Sequence, residues 1–331
     1  MSINVINYFE NTILPMIRIR YPEVFEKIGI LILGSVGLGN DDQFSDLEAG
    51  IYLNDNDWKQ YGGQLQLALN DCLLETNPWR KEGSVLSVYP ISWLLDGQAE
   101  KFLLNKNELP WDLVSFETLF TIQENLILHD PQGMLKNLKE ATVPSLFPLY
   151  LWKKALISEL YNLGSDFSEL ELSLKRNKMG ECHILLGYVL ERLFHIGFLL
   201  CRQYYPWRTH LRWAFDKLPE IALEFGFKID LILATDWHKK VEMVGAVIAA
   251  YKDYIVSNSI LPEIDFYSID LNEELLWAMR LQAWENPNWR NWITDHKSKA
   301  VKNGYSPNQF WVWSLWGWED EVPNKNIKKK K

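Results

Sequence analysis

The sequence has little cysteine and no long uninterrupted apolar run, and its first residues lead us to expect no signal peptide. Its 3 cysteines lie far apart and form no C-x-x-C pair, which disfavours a disulfide scaffold and indicates a reduced, cytoplasmic protein. The most apolar stretch, 184–200, contains Glu191, Arg192 and His195, so we expect no membrane-spanning helix. The histidines show no spacing typical of a zinc site.

Basic residues are also scarce relative to acidic ones. The chain has 34 Lys and Arg against 43 Asp and Glu, a net charge of -9, and five of the lysines fall in residues 325–331. An acidic body repels phosphate backbones, which argues against a nucleic-acid partner and leaves cationic small molecules as candidate ligands. The Lys-rich end, 325–331, is predicted to be a disordered tail.

What the sequence does contain is typical of a globular protein large enough for two domains. It has 331 residues, of which 47% are hydrophobic and 23% charged. In the first part, periodicity predicts a helix over 3–25 that Pro15 bends or splits, and a second helix over 57–75. Strands are predicted at 28–33, 47–53, 84–89 and 125–128. Residues 1–140 are therefore predicted to form a small domain with a mixed sheet.

The second part shows no convincing strand alternation. Segments with a 3.6-residue period occur at 146–163, 179–203, 231–256 and 271–284, and they predict an α-helical bundle domain over 141–324. The predicted fold class is therefore α+β, a mixed-sheet domain followed by helices.

The most informative stretch runs from the end of the first strand to the start of the second. Gly34 and Ser35 follow a buried strand, where the glycine permits close backbone approach and the turn offers N–H groups and a hydroxyl to an anion. Ser45 then precedes Asp46 and Glu48, which are two apart in a strand and so project from one face. Two neighbouring carboxylates repel each other unless a cation lies between them, and Mg²⁺ is commonly shared between carboxylates and substrate phosphates. The pattern predicts a site for a Mg²⁺–nucleoside triphosphate.

These residues resemble the nucleotidyltransferase superfamily that includes DNA polymerase beta. The family pattern is Gly-Ser, about ten residues, then Asp-x-Asp or Asp-x-Glu, and Ser45-Asp46-Leu47-Glu48 looks most like the kanamycin-modifying branch. The resemblance implies that Gly34, Ser35 and Ser45 bind nucleotide and that Asp46 and Glu48 hold Mg²⁺. It also implies transfer of a nucleoside monophosphate from ATP or another triphosphate to a hydroxyl of a small molecule, such as an aminoglycoside-like cation, with release of pyrophosphate.

The sequence departs from that family on the third predicted strand. Many members carry a third carboxylate there, whereas residues 85–89 include no acid. Glu82 lies just before this strand and Asp96 just after it, and either could substitute only if the strand register or a helix end brought it near. The departure is compatible with an enzyme whose base comes from the helical domain. It is equally compatible with a nucleotide-binding or antitoxin-type partner protein of the same fold that performs no chemistry.

The acceptor hydroxyl must lose a proton, so a base is expected. In the kanamycin-modifying relatives a helix of the second domain supplies a glutamate, which here implies Glu191. Glu191 and His195 lie four apart and share a helix face, so an internal Glu–His pair, or a pair with Arg192, is the alternative.

Two aromatic stretches have both packing and binding interpretations. In residues 204–213, Arg208 or Arg212 could reach phosphates, although a packed loop leading into a helix is favoured. Eight of the 16 tryptophans fall in 277–318, where a core is favoured over a stacking surface.

Overall fold

The computed structural model of the chain describes residues 4–104, 109–218 and 220–261. These residues divide into two compact units. Unit 1 lies within Met1–Phe147 together with Tyr204–His210, and unit 2 within Pro148–Gln203 together with Leu211–Lys331. Unit 1 contains a four-stranded mixed sheet and unit 2 is helical where it is described, which confirms the predicted α+β class. The predicted boundaries at residues 140 and 324 stay predictions.

The N-terminal helical run is divided, as the sequence predicts. It consists of α1 (Val5–Tyr8), a π-helical turn (Phe9–Ile13), α2 (Leu14–Arg20) and α3 (Pro22–Phe25). The π-turn ends two residues before Pro15, since a proline cannot donate the backbone hydrogen bond that a regular α-helix needs there.

The sheet is built from the strands β1 (Gly29–Leu33), β2 (Asp46–Leu53), β3 (Arg80–Pro90) and β4 (Leu126–His129). Their order across the sheet is β3-β2-β1-β4, and β1 is antiparallel to both of its neighbours while β2 and β3 are parallel. The central strand β1 is buried almost throughout, in keeping with its continuous apolar sequence.

Helices join and cover these strands. They are α4 (Gly34–Leu38), α5 (Asp55–Thr76), the short turn α6 (Leu94–Gly97), α7 (Ala99–Leu104), α8 (Phe116–Glu124) and α9 (Met134–Ala141). Single 3₁₀ turns lie at Ile91–Trp93, Trp111–Leu113 and Pro144–Leu146. One sheet face packs with α5 and the N-terminal helices into a core that includes Ile32, Ile51, Leu65 and Leu86.

The outer strand β3 forms hydrogen bonds with side chains of α5 along its free edge. Gln66 donates to the Leu86 carbonyl at 2.6 Å and accepts from the Val88 amide at 2.8 Å. The indole of Trp58 donates to the Val88 carbonyl at 3.1 Å. The middle of this edge therefore has its backbone groups satisfied from within the unit.

Residues 204–210 belong to unit 1, although they follow the helix Met179–Leu200, which belongs to unit 2. The hydroxyl of Tyr204 donates to the Thr142 carbonyl at 2.9 Å, and the ring of Tyr205 stacks on Phe116 with centroids 5.0 Å apart. For these two tyrosines the packing interpretation of the 204–213 stretch is the one observed.

Within residues 148–261, unit 2 is built from helices. They are α10 (Leu149–Lys175), α11 (Met179–Leu200), α12 (Arg208–Phe215, which begins in unit 1), α13 (Phe227–Ala234) and α14 (Trp237–Ser257), with a π-turn at Ala222–Gly226. The predicted helix over 231–256 is divided in two because Asp236 caps a new helix, accepting from the Lys239 amide at 3.1 Å. By length and composition α11 could cross a membrane, a test that the core helix of a soluble protein also passes. The predicted helix 271–284, the tryptophan-rich stretch and the Lys-rich tail lie outside the described residues.

Candidate functional site

The Gly-Ser pair of the motif lies where β1 ends and α4 begins. Gly34 has a φ of +60°, a conformation that glycine adopts without strain, and it directs the chain out of the strand. Gly37 packs so closely that a Cβ there would overlap the Ile32 carbonyl oxygen and Asn125 Oδ1. The short helix is therefore held against β1 by glycines at both of these positions.

The loop between α4 and β2 fixes the two serines of the motif. Ser35 Oγ donates to Ser45 Oγ at 2.9 Å, and the Asp42 amide donates to the same Ser45 oxygen at 2.9 Å. Asp42 Oδ1 in turn accepts from the Phe44 amide at 2.8 Å. Asp42 is therefore a residue that shapes the loop. Ser35 and Ser45, the two serines predicted to bind nucleotide, are hydrogen-bonded to each other although they are ten residues apart in the sequence.

Asp46 and Glu48 both lie at the start of β2, next to this turn. Glu48 is paired with Leu33, the last residue of β1, and a Cβ on Gly34 would lie 3.1 Å from Glu48 Oε2. Partial burial, reinforced by the charge of Asp46, raises the pKa of Glu48 above its ordinary value. The predicted site residues Gly34, Asp46 and Glu48 are therefore neighbours, and the carboxylate pair carries an electrostatic cost that a cation would relieve.

The pairing of β2 with β3 is irregular at this point. Asp46 is opposite Arg80 whereas Glu48 is opposite Val85, so β3 bulges between these two pairs. The hydroxyl of Ser84 accepts from the Leu47 amide at 2.9 Å and replaces a backbone acceptor within the bulge. Val85 is therefore the residue beside Glu48, at the place where a third acid on β3 would stand.

The flanking acid Asp96 is engaged elsewhere in unit 1. Its two carboxylate oxygens accept from the Ser115 amide at 2.7 Å and from Thr118 Oγ1 at 3.0 Å, at the start of α8. Glu82, the acid before the predicted strand, is exposed and lies inside β3. In the register of β2 and β3, neither acid is paired with Glu48.

Glu191, the predicted base, lies half-buried on α11 in unit 2. Its neighbours on the helix reach a residue that the sequence did not point to. Arg192 Nη1 lies 3.1 Å and His195 Nδ1 3.3 Å from the carboxylate of Glu159 on α10, which is buried. Although burial acts in the opposite direction, His195 and Arg192 lower the pKa of Glu159. A glutamate inside the 27-residue helix α10 had no motif or spacing partner that could reveal it.

Among the residues that the structure describes, no three His, Cys, Asp or Glu side chains form a group that could hold a metal ion. The pair Asp46 and Glu48 is a smaller set. It suits Mg²⁺, which commonly takes one or two carboxylates and completes its shell with water and substrate phosphates.

Comparison with known proteins gives a coarse result. Residues 111–214 match the model of a family described as a domain of unknown function, DUF4037, and this range does not include the Gly34–Glu48 stretch. No curated protein matches the chain. The chain is similar to the crystal structure of a nucleotidyltransferase-like protein from Exiguobacterium sibiricum, with 12% sequence identity and a TM-score of 0.38, over 88% of this chain and 92% of that one.

This likeness is weak. The closer resemblance to the kanamycin-modifying branch stays a prediction, as do the nucleotide, the metal and the roles of the site residues.

Proposed function

We propose that the protein is a Mg²⁺-dependent nucleotidyltransferase. It would transfer a nucleoside monophosphate from ATP or another nucleoside triphosphate to a hydroxyl of a small molecule and release pyrophosphate. The observation that carries the proposal is the position of Glu48, whose carboxylate lies beside Asp46 and next to the backbone of Gly34. Two carboxylates and a Gly-Ser turn at one strand end form a site suited to a metal-bound phosphate chain.

Asp46 and Glu48 are the residues that would hold Mg²⁺. The raised pKa of Glu48, caused first by burial and then by Asp46, supports this assignment, because a bound cation would favour the ionised form of Glu48. When bound, the ion would neutralise the negative charge that develops on the phosphate oxygens.

The serines would orient the phosphate chain. Ser35 would contact it, while Ser45, which the Asp42 amide holds in place, supports the Ser35 hydroxyl. The acceptor oxygen would then attack the α-phosphorus, the bond from that phosphorus to the bridging oxygen would break, and pyrophosphate would leave. Glu191 is proposed as the base that takes the acceptor proton, on the family resemblance alone.

The net charge of -9 supports a cationic acceptor, such as an aminoglycoside-like molecule, over a nucleic acid. We also propose a cytoplasmic location, which the small number and wide spacing of the cysteines support. Neither proposal involves a membrane.

A second candidate is a nucleotide-binding or antitoxin-type partner protein that does not perform the transfer. Val85 supports it, since this side chain lies beside Glu48 where many relatives carry a third acid. The transferase and the nucleotide-binding form of the second candidate share nucleotide binding and differ in turnover.

Calorimetric titration of the full chain with Mg²⁺–ATP tests the shared step. We expect binding that requires Mg²⁺ and that an Asp46→Asn/Glu48→Gln variant loses. An Asp71→Asn/Glu75→Gln variant, with two exposed carboxylates of α5 changed instead, controls for the loss of two charges. Failure of all four nucleoside triphosphates to bind would refute the transferase and the nucleotide-binding form of the second candidate, and would leave only the antitoxin-type partner protein.

Pyrophosphate release with a panel of hydroxyl-bearing acceptors, amino sugars included, then separates the candidates. Release that depends on an acceptor supports transfer. Tight nucleotide binding without release from any acceptor favours the partner protein.

A further inference from the structure

A row of rings continues along the sheet from the carboxylate pair. On β2, Gly50 and Tyr52 follow Glu48 at alternate positions, and on β3 they are paired with Ser87 and Tyr89. Because strand side chains alternate, these residues share the sheet face of Glu48 and lie opposite the core that packs on α5. The same face therefore carries the carboxylates at one end and aromatic rings at the other.

The rings of this row contact one another and lead outward to solvent. Tyr52 is buried and lies across Gly50, where a Cβ would be 2.6 Å from its ring atoms. The ring centroids of Tyr52 and Tyr89 are 6.0 Å apart, as are those of Tyr89 and Trp93. Trp93 also contacts Trp58, at 5.6 Å, and is nevertheless 60% exposed. An indole held by two neighbours and still open to solvent is a preorganised stacking surface.

We propose that Trp93, supported by Tyr89, stacks on the base of the nucleotide whose phosphates are held at Asp46 and Glu48. The inference rests on the proposed function and adds a binding site for the other end of the same ligand. It makes β3 the strand along which the nucleotide extends.

The spacing fits a ligand that is held at both ends. Four residues along a strand span about 13 Å, which separates the level of Glu48 from that of Tyr52 and Tyr89, and the ring centroid of Trp93 lies a further 6.0 Å from that of Tyr89. Between the levels of Glu48 and Tyr52 the row has Gly50 and Ser87, and the exposed side chain beside Glu48 is the uncharged Val85. An uncharged stretch that ends in aromatic rings suits a sugar followed by a flat, neutral base.

Stacking on an indole also predicts how the site would choose among bases. Every base has a π-face, so the contact tolerates all four and favours the larger ring system of a purine modestly. We therefore expect ATP and GTP to bind more tightly than CTP and UTP, without rejection of any of them.

The test compares two probes, Mg²⁺–ATP and Mg²⁺–tripolyphosphate, which differ by the nucleoside. In Trp93→Ala we expect the affinity for Mg²⁺–ATP to fall on the order of 10- to 100-fold, as for other aromatic residues that stack on bases. The affinity for Mg²⁺–tripolyphosphate should not change. Trp207→Ala is the matched control, because Trp207 also lies in unit 1, is 61% exposed and is not part of the row. It should bind both probes as the unaltered protein does.

Two further variants separate stacking from a loss of fold. Trp93→Phe keeps an aromatic face and should retain most of the ATP affinity, whereas Trp93→Leu keeps apolar bulk and should lose it. If Trp93→Ala and Trp93→Leu bind Mg²⁺–ATP normally, the inference is wrong while the proposed function stands. A parallel loss of tripolyphosphate binding would also overturn it, and absence of Mg²⁺–ATP binding by the unaltered protein would overturn the proposed function itself.

Discussion

Each unit of this protein contains a cluster of charged side chains, and the pKa of a glutamate is shifted in opposite directions in the two clusters. In unit 1, partial burial and the neighbouring Asp46 raise the pKa of Glu48. In unit 2, Glu159 is more deeply buried, yet Arg192 and His195 bring its pKa below the ordinary value. This difference in pKa distinguishes two roles of a carboxylate. A carboxylate compensated by its own chain fixes a structure, whereas one left under repulsion is suited to a ligand cation.

The largest expected effect comes from removing the compensated acid. Glu159→Ala should lower the free energy of unfolding by about 3–5 kcal/mol, because it leaves Arg192 and His195 together without their buried partner. Urea denaturation followed by circular dichroism measures the change. Glu169→Ala, an exposed glutamate on the same helix, should change stability by less than about 0.5 kcal/mol. Equal effects of the two substitutions would show that the buried cluster contributes no stability.

Unit 2 also contains a buried lysine whose ammonium group is hydrogen-bonded within the chain, which extends the comparison to a cation. Lys240 is buried and its ammonium donates to the Ile232, Leu233 and Thr235 carbonyls at 2.9, 2.8 and 2.6 Å, at the end of α13. Lys240→Met should cost about 2–3 kcal/mol, because these carbonyls lose a charged donor. The same denaturation assay applied to Lys239→Met, an exposed neighbour, should give a loss of less than about 0.5 kcal/mol.

In unit 1, a substitution at Gly37 would disturb the packing of α4 on β1, next to the carboxylate pair, without changing any charge. Gly37→Ala should cost about 1–3 kcal/mol, since its Cβ would overlap the Ile32 carbonyl and Asn125. Gly63→Ala, in an open position on α5, should stabilise instead by about 0.5–1 kcal/mol. Thermal melting measures both changes, and a neutral Gly37→Ala would contradict the close packing of α4 on β1.

The smallest effect, and the one with the clearest sign, is the pH dependence of Glu48. Because its folded pKa is raised, its ionisation disfavours the folded state, and stability is lost as pH rises from the unfolded pKa through the folded one. Glu48→Gln should therefore gain stability near neutral pH. The gain should stay under about 1 kcal/mol because solvent screens the half-exposed group, and it should vanish in acid.

Glu159 should show the reverse dependence. Its lowered pKa makes it a source of stability above the unfolded value that is lost as pH falls through the folded value. Denaturation curves of both variants at several pH values measure the two signs. If the effect of the substitution on stability changed with pH in the same direction in both variants, the stated difference between the two clusters would be wrong.

Much of unit 1 could be predicted because its signals are local. A continuous apolar run that ends at Gly34 predicted β1, alternation predicted β2, and a short segment before the turn at 130–133 predicted β4, each within about one residue of its observed ends. Ser35, Ser45, Asp46 and Glu48 stand in one stretch of fourteen residues, so a single motif could point to all of them. The strand β3 begins at Arg80 rather than at residue 84, because its first residues pair with Asp46 across a bulge that no local pattern encodes.

The buried cluster of unit 2 could not be predicted, because its members come from two helices. Glu159 and His195 are 36 residues apart, and which faces of α10 and α11 meet depends on helix packing. Sequence spacing gave Glu191 as a possible partner of His195, and the contact with Glu159 is visible only once the two helices are assembled. Helix length was likewise underestimated, since α10 continues to Lys175 beyond the predicted end at residue 163.

The hydrogen bonds from Gln66 and Trp58 to β3 affect how copies of this protein behave in concentrated solution. An unpaired strand edge is a template on which another molecule can add a strand, the first step of sheet-to-sheet aggregation. In this chain the Leu86 carbonyl and both backbone groups of Val88 are already occupied by an amide and an indole from α5. An added strand would have to displace both side chains before it formed its first hydrogen bond there, so α5, which contributes to the core, also protects the middle of the β3 edge from self-association.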